Sequence, residues 1–514
     1  MNLFKSTAVV SFFTLLSRLA GFVRDAISAF FFGVSVWTDA LAVAFRIPNF
    51  MRRIFAEGSF SLAFIPVLNE IKAQRDEVYL KQFVNHVFGS LLAVLLVVLA
   101  VLELLAPGVI LAFAPGYLDN QVLFDETVNM LRITLPYLLF ISLVAFCSGI
   151  LNSFGKFAVP AATPILLNLV LIFSMVYFRN HFNLEVKSFA VGVLIAGIVQ
   201  LLFQIPSLIN LGIIPKPVIK FHDPEVKKVM TLMLPTLFGS SVAQVNLLID
   251  TMIATFLPLV GSVTFLYYSD RLLEFPLGLF GIAISTVILP KLSHTFALNN
   301  QIEYQQTMRW AMSLAMFVAL PSAVGLLILA EPVILTLFGY GEFTAENARY
   351  TSYSLMVFMF GLPAFVANKV LLPAFYSRKD TKTPVKIALK AMLVNVVFNF
   401  LFVGVLYYFK VISLHAGLAM AGVGSAWLQC FWLYRKLKEH KVITQTLLDR
   451  KYLIKLMASV VVMGFVLVFL LFYFSSWIDL RWYHRFLKLI LIISVGVVTY
   501  LFSMWALKAK KDFA

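Results

Sequence analysis

Charge is scarce in this chain of 514 residues, since only 13% of its residues are Asp, Glu, Lys or Arg. A soluble domain carries about 25% charged residues, so this composition excludes an ordinary soluble protein. Cysteine is scarcer still: Cys147 and Cys430 both lie inside apolar runs and predict packing residues, not a disulfide framework or a metal site. The sequence has no P-loop, HExxH or GxSxG motif and no cluster of His or Cys, so we expect a protein that is not an enzyme.

Hydrophobic residues make up 61% of the chain and recur in runs long enough to cross a bilayer. These runs predict an all-α polytopic membrane protein with about 14 transmembrane helices joined by short connections. The expected spans are 4–32, 38–68, 83–113, 125–152, 158–178, 188–211, 226–257, 262–292, 305–338, 348–376, 384–408, 411–434, 452–477 and 484–507.

The net charge of +16 comes from lysines and arginines in the connections. With this set of spans, about 24 of these residues fall on one side of the membrane and about 5 on the other. Because basic residues concentrate on the cytoplasmic side, both termini of this multi-pass protein are expected to be cytoplasmic. The basic excess is then explained without a nucleic-acid partner.

An internal repeat divides the chain. LNSFGKFAVPAATP at 151–164 is similar to LPAFYSRKDTKTP at 372–384, and FSLAFIPVL at 60–68 is similar to ISTVILPKL at 284–292. Asp25 then corresponds to Asp250, and Arg46 to Arg271. The offset spans an even number of helices, so we expect two six-helix lobes in parallel pseudo-repeat. The expected lobes are 1–213 and 214–440, and 441–514 adds two C-terminal helices outside the repeat.

Charged residues are concentrated in the first two spans, where a central charge costs about 2.5 to 3.5 kcal/mol. Helical spacing places Arg18 and Asp25 on one face of the first span, and Asp25 can neutralise only one of the nearby arginines. Guanidinium groups bind phosphate bidentately, so an arginine excess predicts a hydrated cavity for a phosphate or diphosphate. The candidate binding residues are Arg18, Arg24, Asp25, Asp39, Arg46, Arg52, Arg53, Glu57, Asp270 and Arg271.

Two interpretations of these charges stay open at this point. Some of them, Arg53, Glu57 and Asp270 above all, could be ion pairs that tie helices together or residues at the membrane surface. In the second half Arg271 can pair with Glu274 at i, i+3, and it is expected to approach Arg24 and Arg52 across the cavity.

A second set of polar residues lies in the later spans. Asp250, Asn395 and Asn399 offer an acid and two amides that could hold a monovalent cation, Na⁺, or a proton at the acid. The alternative is hydrogen bonding between helices, which is common for Asn in membranes. No other metal site is predicted.

Three motifs resemble the MurJ/MviN family of lipid II flippases, in the multidrug/oligosaccharidyl-lipid/polysaccharide exporter superfamily. They are SRLAGFVRD at 17–25, TDALAVAFRIPNFMRRIFAEGSFSLAFIPVL at 38–68 and YYSDRLLEFPLGLFGIAISTVILPKLS at 267–293. The resemblance covers essentially the whole chain. It implies functional roles for Arg18, Arg24, Asp39, Arg52 and Arg271, with Asp25 orienting its neighbouring arginine. It also implies a groove for a polyprenyl tail at the last two spans, and in some members a sodium site that Asp250, Asn395 and Asn399 could match.

The resemblance implies a flippase of the bacterial inner membrane that moves lipid II from the cytoplasmic to the periplasmic leaflet by alternating access, with no cofactor. Arg24, Arg52 and Arg271 would bind the diphosphate, and membrane potential or a Na⁺ or H⁺ gradient would drive the cycle. The cell-wall synthesis machinery is a candidate partner. The alternatives are a flippase for another polyprenyl-diphosphate oligosaccharide, a cation-coupled drug exporter, an enzyme of lipid-linked sugars and a scaffold. The arginine excess argues against the exporter, and the missing catalytic motifs argue against the enzyme.

Overall fold

The computed structural model describes residues 3–52, 60–278, 282–474 and 476–508. Every regular element in these ranges is helical, which confirms the all-α fold. The first half contains α1 (Leu3–Phe32), α2 (Val36–Arg52), α3 (Phe60–Gln74), α4 (Glu77–Leu104), α5 (Ala106–Phe113), α6 (Gln121–Thr134), α7 (Tyr137–Ser153), α8 (Ala158–Phe178) and α9 (Lys187–Asn210). The second half contains α10 (Pro224–Ala254), α11 (Ser262–Pro276), α12 (Ile282–Ala297), α13 (Gln301–Ile328), α14 (Ala330–Leu337), α15 (Ala345–Tyr376), α16 (Lys382–Tyr408), α17 (His415–Glu439), α18 (Arg450–Tyr473) and α19 (Trp482–Ala506).

Five of the expected spans each contain two helices: 38–68, 83–113, 125–152, 262–292 and 305–338. Proline marks several of the breaks, because it has no N–H to continue the hydrogen-bond ladder of a helix. Pro107 lies at the start of α5, and Pro136 separates α6 from α7. Ten helices of the described ranges are long and apolar enough to cross a membrane. The count of fourteen spans stays a prediction.

The repeat is visible in the lengths of the helices. In the first half a helix of 28 residues, α4, is followed by one of 8 residues, α5. In the second half α13, also of 28 residues, is followed by α14, also of 8 residues. These pairs lie at nearly the same sequence offset as the repeated motifs, so helix lengths repeat along the chain. The parallel arrangement of two lobes stays a prediction.

The chain forms two compact units, Met1–Gly261 and Ser262–Ala514. In the first unit α1 packs against α8, and α10 packs against α3, α4 and α5. Its core holds four phenylalanines from α3, α4 and α7, with the ring of Phe64 between 5.0 and 5.9 Å from those of Phe60, Phe83 and Phe146. Helix α10 therefore belongs by its contacts to the first unit, while the expected lobe boundaries at 213 and 440 stay a prediction from the repeat.

In the second unit α15 packs against α17, α13 and α11, and α16 packs against α17. Helices α18 and α19 pack against each other, and both also contact α13. The two C-terminal helices are therefore joined to this unit along α13 and, through α19, along α14.

Candidate substrate-binding site

Arg24 and Asp25, neighbours on α1, form a buried ion pair. Nε and Nη2 of Arg24 donate to Oδ1 of Asp25 at 3.0 and 2.5 Å. Only 6% of Arg24 and 1% of Asp25 is exposed. A buried charge pair is stable only with good geometry and further hydrogen bonds. Of the arginines on the first helix, Asp25 thus pairs with Arg24.

Asn168 on α8 supplies those further hydrogen bonds. Its Oδ1 accepts from Nη1 of Arg24 at 3.1 Å. Its Nδ2 donates to the carbonyls of Ser17 at 3.1 Å and of Pro164 at 3.4 Å. The amide therefore orients the guanidinium and joins α8 to α1. The sequence analysis missed Asn168, whose only signal is a lone amide in the apolar stretch ILLNLVLI.

Two further candidate arginines of this unit are half-buried, Arg18 and Arg52. Arg52 ends α2, and its Nε and Nη2 donate to Oδ1 of Asn49 at 3.0 and 2.9 Å. A second amide, also missed from the sequence, thus fixes a second guanidinium. Arg53 and Glu57 lie outside the described residues.

Asp39 and Arg46 of α2 contact α10 and the turn that follows it. Oδ2 of Asp39 accepts from the backbone N–H of Gly261 at 2.9 Å. Nη1 of Arg46 donates to Oγ1 of Thr251 and to the carbonyl of Leu247, the latter at 3.4 Å. Two of the candidate binding residues thus contact α10 and the turn that follows it.

A short turn next to these residues also contacts α10. Gly116 donates its N–H to Oγ1 of Thr255 at 3.3 Å. A Cβ at this position would overlap the Thr255 carbonyl, so the close approach requires glycine. Tyr117 follows it and is buried, within the electrostatic influence of Asp39 and Arg46.

Arg271 and Asp270 lie in the second unit, on α11, and both are half-buried. Nη1 of Arg271 pairs with Oε2 of Glu274 at 3.4 Å, as the i, i+3 spacing predicts. The structure describes Arg271 in one unit and Arg24 and Arg52 in the other. Their approach across a shared cavity stays a prediction.

The candidate cation residues also lie in different units. Asp250 is half-buried on α10, whereas Asn395 and Asn399 are fully buried on α16. The two amides face the same side of α16, as their spacing of four predicts. Whether they share a cation with Asp250 stays a prediction.

An apolar cavity of about 440 Å³ lies within the second unit, between α11, α13, α14, α18 and α19. Its wall includes Gly325 of α13, Val333 of α14, Met463 of α18 and Ile493 of α19. A Cβ added at Gly325 would meet no atom within 4 Å, so this glycine contributes open space. Helices α18 and α19 therefore form part of the wall of an apolar cavity, and its use by a polyprenyl tail stays a prediction.

Outside the membrane helices, Asp223 joins the start of α10 to α4. Its carboxylate accepts from the N–H groups of Glu225 and Val226 at 2.9 and 3.4 Å and pairs with Nδ1 of His86 at 2.7 Å. Partial burial raises the pKa of Asp223, but the hydrogen bonds from His86 and from the two amides outweigh it and lower the pKa below its usual value.

Comparison with known proteins gives consistent matches. The family model described as "Lipid II flippase MurJ" matches residues 28–491. A probable lipid II flippase MurJ from Vibrio cholerae is 40% identical over 508 residues, which are 97% of this chain and 95% of that protein. A second, from Haemophilus influenzae, is 37% identical over 500 residues, which are 95% of this chain and 96% of that protein.

Solved structures also match this chain. A lipid II flippase MurJ in an inward closed conformation matches with a TM-score of 0.79 and 26% identity, over 96% of this chain and 98% of that one. An inward-facing multidrug transporter of the MATE family and the MOP superfamily matches with a TM-score of 0.67 over 85% of this chain and 99% of that one. Its identity is 13%, so this likeness concerns the fold alone.

Proposed function

Because the chain belongs to the lipid II flippase MurJ family, we propose that it moves lipid II from the cytoplasmic to the periplasmic leaflet. Family membership and ten apolar helices of spanning length make it a multi-pass inner-membrane protein. Its termini are proposed to be cytoplasmic from the distribution of Lys and Arg. The proposed activity is transport without catalysis.

The observation that carries the mechanism is the buried guanidinium of Arg24. Burying a charge in a membrane helix is costly, and this one is held in place by both Asp25 and Asn168. An arginine fixed in this way is preorganised, so it can bind an anion with little further loss of side-chain entropy. Arg52, fixed by Asn49, is prepared in the same manner.

The proposed ligand of these arginines is the diphosphate of lipid II. Arg24, Arg52 and Arg271 are proposed to bind it, and Arg18 and Arg46 to add positive potential. The sugars and peptide enter the hydrated cavity, while the polyprenyl tail occupies the apolar cavity bounded by α18 and α19. Alternating access of the two halves then exposes the head group outside.

Membrane potential is the proposed energy source, because the substrate is an anion moving outward from a negative interior. The potential contributes about 2.3 kcal/mol per charge per 100 mV. A Na⁺ ion or a proton at Asp250, with Asn395 and Asn399, would return the empty carrier. Association with the cell-wall synthesis machinery is a further proposal that rests on the family alone.

The test is exposure of lipid II in cells that are depleted of their own flippase and express this chain. A periplasmic enzyme that cleaves exposed lipid II reports transport. We expect cleavage with the wild type and little with Arg24→Ala, Arg52→Ala or Arg271→Ala at matched expression. The control is Arg75→Ala, which removes an exposed arginine at the end of α3.

Two outcomes would contradict different parts of this proposal. Absence of cleavage with the well-expressed wild type would reject lipid II and favour another polyprenyl-diphosphate oligosaccharide. Normal cleavage with all three arginine variants would leave the function intact but reject the diphosphate site.

A further inference from the structure

Arg485 lies in the first turn of α19 and is almost fully buried, with 6% of its surface exposed. Its Nη1 donates to the carbonyls of Leu335 and Gly339 at 3.1 and 2.8 Å, and its Nη2 donates to the carbonyl of Ile478 at 2.6 Å. Its guanidinium carbon lies 4.9 Å from the centre of the Tyr340 ring. This one side chain joins α19 to the end of α14 and to the α18–α19 connection.

The charge of Arg485 is matched by the carboxyl end of a helix. Leu335 lies in the last turn of α14, and Gly339 lies two residues after the end of that helix. The last carbonyls of a helix have no partner within it and carry partial negative charge. A planar guanidinium can donate to several of them at once, whereas the compact ammonium of a lysine cannot reproduce this geometry.

The two helices joined by Arg485 also form walls of the apolar cavity. Val333 of α14 lines this cavity and lies two residues before Leu335. Ile493 of α19 lines it as well, about 12 Å along the helix from Arg485. A change in the distance between the end of α14 and the start of α19 therefore alters the width of the cavity.

On the α18 side the cavity wall is packed tightly. A Cβ added at Gly496 of α19 would lie 2.9 Å from Cδ2 of Leu467 on α18. Helix α19 is therefore held against α18 by close packing and against α14 by Arg485. The distance between α14 and α19 therefore depends on the Arg485 contact.

We propose that Arg485 is a positioning residue that sets the width of the apolar cavity and so determines how well it holds a long polyprenyl tail. This inference rests on the proposed function, in which the cavity receives the tail. Arg485 itself touches neither the tail nor the diphosphate. It acts by fixing α19 relative to α14.

The test compares two lipid II analogues that differ only in tail length, one long and one too short to fill the cavity. Flipping of each is measured in proteoliposomes containing the full chain. We expect Arg485→Gln to lower the rate for the long tail by roughly tenfold relative to the short tail, since the hydrogen bonds that fix α19 to α14 are lost. Arg485→Lys, which keeps the charge without the fork, should retain part of the preference for the long tail.

Arg481→Gln is the matched control, because Arg481 is an exposed arginine at the start of the same helix. It should leave the ratio of the two rates unchanged. Equal loss of both rates in Arg485→Gln would show a role in stability alone and overturn the proposal, as would no loss. If Arg485→Gln is not recovered as folded protein, Arg485→Lys decides, and an unchanged ratio in that variant overturns the proposal.

Failure of the proposed function would look different. In that case the wild type itself would flip neither analogue. A wild type that flips both at the same rate, with no preference for the long tail, would leave the function standing and reject the role of Arg485.

Discussion

Filling the apolar cavity from Gly325 is the sharpest perturbation that the structure offers. This glycine lies in α13 and lines the cavity, and a Cβ there meets no atom within 4 Å. Gly325→Leu therefore places its Cβ in open space and directs further apolar atoms toward the cavity. It also removes a glycine from a helix, which favours folding by up to about 1 kcal/mol.

The expected effects on stability and transport have opposite signs. A leucine side chain brings four carbons into volume that the tail would otherwise occupy. At about 0.8 kcal/mol per buried CH₂, the tail loses about 3 kcal/mol of binding free energy, or on the order of a hundredfold in affinity. The thermal stability of Gly325→Leu should equal or exceed that of the wild type.

The assay is flipping of lipid II in proteoliposomes over a range of substrate concentrations. Gly325→Leu should raise the concentration needed for half-maximal rate by at least about tenfold. The control is Gly404→Leu on α16, where a Cβ also meets no atom within 4 Å but the residue does not line the cavity. Equal half-maximal concentrations for the wild type and Gly325→Leu would refute the idea that the tail occupies this cavity.

Two further predictions concern stability and are read from thermal unfolding in detergent. Gly116→Ala should destabilise the protein by about 1 to 3 kcal/mol, because the new Cβ would overlap the Thr255 carbonyl. The control Gly108→Ala has open space around the new Cβ and should not destabilise the protein. Equal stability of the two variants would refute the close contact at Gly116. Because the folded pKa of Asp223 is depressed, its contribution to stability is complete above the unfolded pKa and is lost as pH falls through the folded pKa. Asp223→Asn should therefore remove part of the loss of stability on acidification, and an unchanged pH profile in that variant would contradict this assignment.

The sequence predicted the helical fold well, because a long apolar run in a bilayer satisfies its backbone hydrogen bonds by forming a helix. It did not predict the helix breaks within the expected spans 83–113, 125–152 and 305–338. The interruptions at Pro107 and Pro136 could have been found, since proline ends a hydrogen-bond ladder. The break at Leu329 has no such residue at its own position, although Pro332 follows within one turn.

At the candidate site, contacts between near neighbours were predictable and distant ones were not. Arg24 with Asp25, and Arg271 with Glu274, follow from adjacency and helical spacing. The contact of Asn168 with Arg24 joins residues 144 positions apart and depends on how α1 packs against α8. The periodicity of the sequence does not indicate which helices pack together, so this contact could not be predicted.

The partners of Arg485 at α14 and in the α18–α19 connection are main-chain carbonyls, and this has a consequence for evolution. A carbonyl is present whatever side chain stands at positions 335 and 478, so these two positions can change type without breaking the contact, whereas a Cβ at Gly339 would lie 2.7 Å from the Leu335 carbonyl oxygen. In related proteins the arginine would then persist while its contact positions drift. Methods that infer contacts from correlated substitutions would pass over this junction, although it joins α14, α19 and the α18–α19 connection.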